Sequence, residues 1–247
     1  LNTTGSNNTG FGQASLGSNT TASNNTAVGK SALTANTTGT ENTAVGQGTL
    51  QTATTASNNT GVGYNALRDS TGGYNTALGS HSLRLNSTGQ YNTALGSNTL
   101  RSSTTADNNV AIGRDSMQDN TTGANNTAVG ALALHANTTA SYNTAIGAFA
   151  LDSPTTAEYN TSVGYQSLTT VSTGQYNVAV GSNAGLVLTT GGDNVAIGHG
   201  AMMSQTTASY NTAVGGNALD ACTSATDNTA VGHNALGATV TLSLIHI

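Results

Sequence analysis

One asparagine recurs at near-constant spacing along the chain, and that period decides most of what the chain can fold into. Asn8, Asn25, Asn42, Asn59, Asn75, Asn92, Asn109, Asn126, Asn143, Asn160, Asn177, Asn194, Asn211 and Asn228 follow one another every 17 residues, with one step of 16 between Asn59 and Asn75. Each opens an Asn-Thr-Ala-Val-Gly-like unit, and the fifth place is Gly in every copy, from Gly12 to Gly232. Three residues before each Asn stands Gly or Ala; the residue before that is Thr, except for Ser224. A pattern this regular predicts a single array over residues 1–240, without internal domain boundaries.

Within each unit apolar and small residues alternate, which predicts a strand. Thr at the second place and Val, Ile, Leu or Phe at the fourth are expected to face inward. Val110, Val178 and Val195 replace Thr at the second place, and their similar shape fits packing against the next coil. A second short strand is expected around Ala-Leu, as in Ala32-Leu33, Ala66-Leu67 and Ala235-Leu236, with corners at the Gly and at the Thr-Thr-Gly or Thr-Thr-Ala segments. Helical repeats are disfavoured, because Gly, Asn and paired Thr are poor helix formers. The expected fold is therefore all-β: a parallel β-solenoid of about fourteen 17-residue coils. One coil buries too few large side chains to offset the ordering of its backbone, so stability must come from stacking and from other chains. The third place is always small (Ala27, Ala44, Gly61, Ala128, Ser162, Ala230). It is expected to point outward as an Ala stripe that lets another chain approach; the other reading is a turn without room for more.

Composition removes several classes. Charged residues make 6% and aromatics 4%, so the low hydrophobicity lacks the high charge that accompanies disorder. No stretch approaches 18 apolar residues, so no membrane segment is expected. The lone Cys222 excludes an intrachain disulfide and a multi-cysteine zinc site. A formal net charge of −5 argues against a nucleic-acid partner. His81, His135, His199 and His233 fall at three different repeat places, and the ten acids are scattered. No catalytic residues, cofactor or metal site are expected, and an enzyme is not. Neither a calcium-binding nonapeptide pattern nor a phosphate-binding Gly-Lys-Ser/Thr sequence occurs.

Two features point to ligands. All five cations, Lys30, Arg68, Arg84, Arg101 and Arg114, lie in the first 114 residues beside Glu41, Asp69 and Asp107; the remainder has seven acids and no Lys or Arg. Arg68, Arg84 and Arg101 each sit nine residues after the repeat Asn on successive coils, an arrangement suited to acidic glycan or lipopolysaccharide; an ordinary solvated edge is the alternative. Tyr74, Tyr91, Tyr142, Tyr159, Tyr176 and Tyr210 precede the Asn. Tyr142, Tyr159 and Tyr176 are on consecutive coils and are expected to form a ring ladder that grips sugars or stabilises the solenoid. The Asn itself is expected to form an amide ladder along the array. Paired Thr such as Thr20-Thr21 and Thr121-Thr122 also resemble ice-binding solenoids, but neighbouring Thr cannot share a strand face, and an inward fourth-place Val would spoil the remaining one.

The Asn-Val-Ala-Ile-Gly units at Asn109–Gly113 and Asn194–Gly198, with their Thr-Ala-Val variants, resemble the head repeats of YadA-type trimeric autotransporter adhesins and similar arrays in phage tail fibres. The resemblance implies a left-handed β-roll and a homotrimer. It further implies an extracellular place on a bacterial surface or virion fibre, with attachment to a host-surface glycan, lipopolysaccharide or matrix protein. The unit is 17 residues here rather than the roughly 14 of the adhesin head, which favours the fibre variant as much as the adhesin. A monomeric ice-binding solenoid is the alternative function. Both ends read as truncated, and residues 241–247 leave the repeat: the tail reads as the translation of a sequencing-adapter end or as a C-terminal cap strand.

Overall fold

The structure, a computed structural model, describes residues 2–221 and 223–237, so Cys222 and the 241–247 tail lie outside the described residues. It comprises two compact units, Leu1–Ala124 and Asn125–Ile247. The first carries β1 (Thr9–Phe11), β2 (Thr26–Val28), β3 (Thr43–Val45), β4 (Thr60–Val62), β5 (Thr76–Leu78), β6 (Thr93–Leu95) and β7 (Val110–Ile112). The second carries β8 (Thr127–Val129), β9 (Thr144–Ile146), β10 (Thr161–Val163), β11 (Val178–Val180), β12 (Val195–Ile197), β13 (Thr212–Val214) and β14 (Thr229–Val231). In each unit consecutive strands pair in parallel, and every repeat place lies against the same place of the next coil: Thr26 against Thr43, Val178 against Val195. Each unit is a parallel β-solenoid, all-β as expected.

Which face of the strand is inside is the reverse of the expectation. The third-place Ala is buried, with Ala27, Ala44, Ala94, Ala128 and Ala230 fully inaccessible, so no outward Ala stripe exists. The fourth-place residues instead face outward: Leu78 is 45% exposed, Ile146 41% and Val231 60%. Thr and Val at the second place share that outward parity and are half-buried or exposed. The cause is the narrow coil. A Cβ built on Gly61, at the third place, would meet Thr49 Cγ2 of the preceding coil at 2.6 Å and Leu67 Cδ1 of its own coil at 3.6 Å. Ser162, at the same place, hydrogen-bonds the Ser167 carbonyl oxygen at 2.8 Å. At Ala27, Ala44 and Ala94 a methyl group fills this narrow space, and a branched side chain would not fit.

The second correction concerns the Ala-Leu segment. It forms turns rather than a second strand. Leu33, Leu67 and Leu100 hold φ of 48°, 51° and 50°, a left-handed conformation that costs a non-glycine residue roughly 1–2 kcal/mol. Two effects compensate. The Leu column (Leu33, Leu50, Leu67, Leu83, Leu100) is fully buried, and each such burial contributes about 1.5–3 kcal/mol. The same residues bond coil to coil, Leu33 N–H to the Thr49 carbonyl at 3.0 Å and Leu67 N–H to Ser82 at 3.0 Å. At the opposite corner the recurring Gly is obligatory on two counts. Gly29 has φ of 130°, and a Cβ there would stand 2.6 Å from the Gly46 carbonyl oxygen of the next coil.

These orientations separate two neighbouring substitutions. Ala94→Leu should destabilise the chain by about 1–3 kcal/mol through overpacking, whereas Leu95→Thr should change the stability of an isolated chain by less than about 0.5 kcal/mol. Urea denaturation at low concentration measures both; equal effects would refute the inward placement of Ala94.

Candidate functional site

The described surface offers columns, one residue per coil. The repeat Asn is not among them, because it is buried and fully engaged. Asn92 donates from its backbone N–H to Asn75 Oδ1 at 3.0 Å, and from Nδ2 to the same oxygen at 3.1 Å and to the Ala106 carbonyl at 2.8 Å. Its own Oδ1 accepts from the backbone and side-chain N–H groups of Asn109. Asn177 repeats the pattern in the second unit. The expected amide ladder is therefore present. A further buried polar column was not anticipated: Asn19, Asn36, Asn86, Asn120 and Asn137, each eleven residues after a repeat Asn. Asn36 Nδ2 donates to Asn19 Oδ1 at 3.2 Å and to the Gly39 carbonyl at 3.0 Å, which closes the Thr-Thr-Gly corner. The recurrence of Asn or Ser at that place was its signal in the sequence.

The tyrosines do stack. Tyr142 and Tyr159 have ring centroids 4.9 Å apart with planes within 3°, Tyr159 and Tyr176 follow at 5.1 Å and 10°, and Tyr74 and Tyr91 at 5.1 Å and 15°. Each is held by a left-handed backbone with φ near 60°. Desolvation in the stack, then the neighbouring phenol of Tyr142, Glu158 and the phenol of Tyr176, hold the Tyr159 hydroxyl above the ordinary phenol range. Stacking consumes the ring faces inside the ladder and leaves ring edges and hydroxyls at the surface. A sugar that needs an open aromatic face can use only the outermost rings.

Arg68, Arg84 and Arg101 come together as the spacing predicts. Asp69 N–H donates to the Arg84 carbonyl at 3.0 Å and Leu85 N–H to the Arg101 carbonyl at 3.1 Å, so the three residues sit on adjacent rungs. Arg68 Nε donates to Asp69 at 2.9 Å. Arg84 and Arg101 have no ion pair among the described residues, and Arg84 Nε is buried without a hydrogen-bond partner. His81 joins this group, which sequence reasoning missed. Its ring packs edge-on to Tyr64 at 5.1 Å and its Nδ1 lies 3.1 Å from Ser80 Oγ. Burial, then Arg84, Arg101 and Arg68, depress its pKa below 6.5. Elsewhere Arg114 pairs with Asp115, while Lys30, His199 and His233 are exposed. His135 Nδ1 stands 3.6 Å from Asp152 Oδ1, too far for a hydrogen bond.

Each unit also presents an outward sheet face. Val178 and Val180 on β11 and Val195 and Ile197 on β12 form a block of four β-branched side chains on adjacent strands; Val110 and Ile112 on β7 are its counterpart in the first unit. Among the described residues there is no pocket and no cluster of three metal-ligating side chains, and no helix is long and apolar enough to cross a membrane.

Tyr159→Asn should lower the thermal midpoint by about 2–6 °C because two ring stacks are lost. Tyr210→Asn should change it far less, since Tyr210 has the same backbone conformation and no stacked ring among the described residues. Asp152 makes a pH-dependent prediction. Burial, opposed by His135, raises its pKa above 3.8, so the folded state favours the protonated acid and loses that advantage as pH rises through the raised value. Asp152→Asn should therefore raise the thermal midpoint at pH 7, and the gain should vanish below about pH 3.8 in melts taken across that range. Compared with known proteins, the chain matches no family model, no curated protein and no solved structure.

Proposed function

We propose that this chain is a structural and adhesive segment of an extracellular fibre, on a bacterial surface or a virion, in which three copies associate through the outward faces of their short strands. One observation carries the reading: the large aliphatic side chains of the strands are outside and the small ones inside. Leu78 and Leu95 in the first unit, and Ile146, Val180 and Ile197 in the second, stand exposed where a face adapted to water alone would carry Lys, Glu or long polar residues. Covering one such side chain per coil contributes up to about 1.5–3 kcal/mol each, and the gain grows with coil number. Val and Thr are stiff at χ1, so little rotamer freedom is lost when they are covered. The number three follows from the resemblance of the Asn-Val-Ala-Ile-Gly units to adhesin head repeats. Attachment is then to a surface glycan, lipopolysaccharide or matrix protein, with the coils as the stalk that displays the contact.

A second reading gains from the same geometry. One of the two objections to an ice-binding surface was an inward fourth-place Val; that side chain faces outward beside the Thr column, so Thr and Val share one regular, uncharged sheet face, while the paired Thr still cannot share one.

Sedimentation equilibrium of the whole chain should give three times the chain mass. Replacing Leu78, Leu95, Val180 and Ile197 together with Lys should leave the circular dichroism spectrum unchanged and reduce the mass to that of one chain. A monomeric wild-type chain would overturn the trimer, and thermal hysteresis from that monomer would establish the ice-binding reading in its place.

A further inference from the structure

We propose that the arginine column of the first unit binds a linear polyuronate, an acidic glycan with one carboxylate on every sugar ring, laid along the direction in which the coils stack. The inference deepens the attachment reading by naming a ligand class. It needs only side chains of one unit, so it stands or falls apart from the oligomeric state.

Three half-buried guanidinium groups on adjacent rungs are an unusual concentration of one charge in a chain with only five Lys and Arg. Their spacing is set by the coil, roughly 4.8 Å per rung. Asp69 neutralises Arg68 through Nε alone, which leaves both of its Nη groups to donate elsewhere. Arg84 and Arg101 are unpaired among the described residues, and the buried Arg84 Nε lacks any acceptor. A buried donor without a partner carries a desolvation cost, so the Arg84 side chain is not stabilised by pairing among the described residues. Asp119, the next acid at the repeat place of Asp69, makes no ion pair with Arg101 among the described residues. Gln51 and Gln118 occupy the same repeat place on the flanking coils and extend the row with neutral amide donors.

The ligand class follows from shape and repetition. A guanidinium fork matches a carboxylate in a bidentate pair, so a row of forks favours a ligand that presents carboxylates repeatedly along its length. A chain of 1,4-linked uronic acids carries a carboxylate on every ring, so it offers carboxylates repeatedly along the row of guanidinium groups without a fixed register. Duplex phosphates advance about 3.4 Å per nucleotide along the helix axis and wind around it, out of step with a straight row of rungs. His81 reports on the site. The charged groups around it are Arg84 on its own coil, Arg68 before it and Arg101 after it, with the neutral Tyr64 and Ser80 in contact. Carboxylates bound to the three arginines cancel the repulsion that disfavours its protonated form.

The test titrates the whole chain with an oligogalacturonate long enough to span the three arginines, at low ionic strength, by calorimetry. Wild type should bind it and should not bind the fully methyl-esterified oligomer of the same length. Arg84→Gln with Arg101→Gln should weaken binding by about tenfold or more. Gln already stands at this place on the neighbouring coils, so the variant should keep the wild-type circular dichroism spectrum. Saturation with ligand should raise the pKa of His81 in an NMR titration and leave that of His199 unmoved. Failure of wild type to bind, equal binding of the ester, unchanged affinity in the double variant, a stationary His81 or equally tight binding of a single-stranded oligonucleotide would each overturn the proposal.

Discussion

The buried amide of the repeat asparagine is the interaction on which the rest of the fold depends. Asn92 spends its donors and its acceptor on Asn75, Ala106 and Asn109, so each coil is satisfied only by coils on both sides in strict register. An unpaired buried amide costs about 1–3 kcal/mol per group, so a slipped coil would orphan several donors at once. Register then fixes everything built on it. Gly stacks on Gly because no Cβ fits between them, Leu stacks on Leu in the core, and any residue type repeated at one place becomes a column on the surface.

That dependence explains what could be read from the sequence. The tyrosine ladder, the arginine column and the amide ladder follow from spacing alone, because residues 17 apart are neighbours whatever the coil's cross-section. The direction of the strand face did not follow. Alternation in Thr-Ala-Val assigns Thr and Val to one side and Ala to the other, and hydrophobicity then favours Val inside. The deciding quantity is the gap between the strand and Leu67-like residues across the coil, a distance that no local pattern encodes. The supposed second strand failed for a related reason. An Ala-Leu pair looks extended, but its Leu adopts positive φ. A hint lay two residues before that Leu, where Asn65, Asn98, Asn217 and Asn234 alternate with Gly48 and Gly200, residues that tolerate the left-handed region.

The same register separates the two kinds of ligand feature. In the tyrosine ladder each ring satisfies its neighbour, so the column stabilises itself and leaves only edges and hydroxyls for a partner. In the arginine column each cation repels its neighbour, and Asp69 relieves only one of the three. Identical spacing therefore yields a self-complementary column from an aromatic residue and a ligand-seeking one from a charged residue. His81 registers the difference, since the three arginines act on its protonation together.

The outward aliphatic face is a consequence of the narrow coil rather than an addition to it. The inward third place of the strand admits only a small residue, so a β-branched residue needed for strand formation must stand outside. Thr could serve at both outward places, and an array under selection only for solubility would use it. The chain does the reverse: Val replaces Thr at 110, 178 and 195, each time beside Ile112, Val180 or Ile197, so both outward places of those three strands are apolar. On consecutive strands β11 and β12 that choice produces a continuous apolar block with no charged side chain at either outward place. Water penalises such a block and a facing copy rewards it, and this difference ties the packing of one coil to the assembly proposed for the chain.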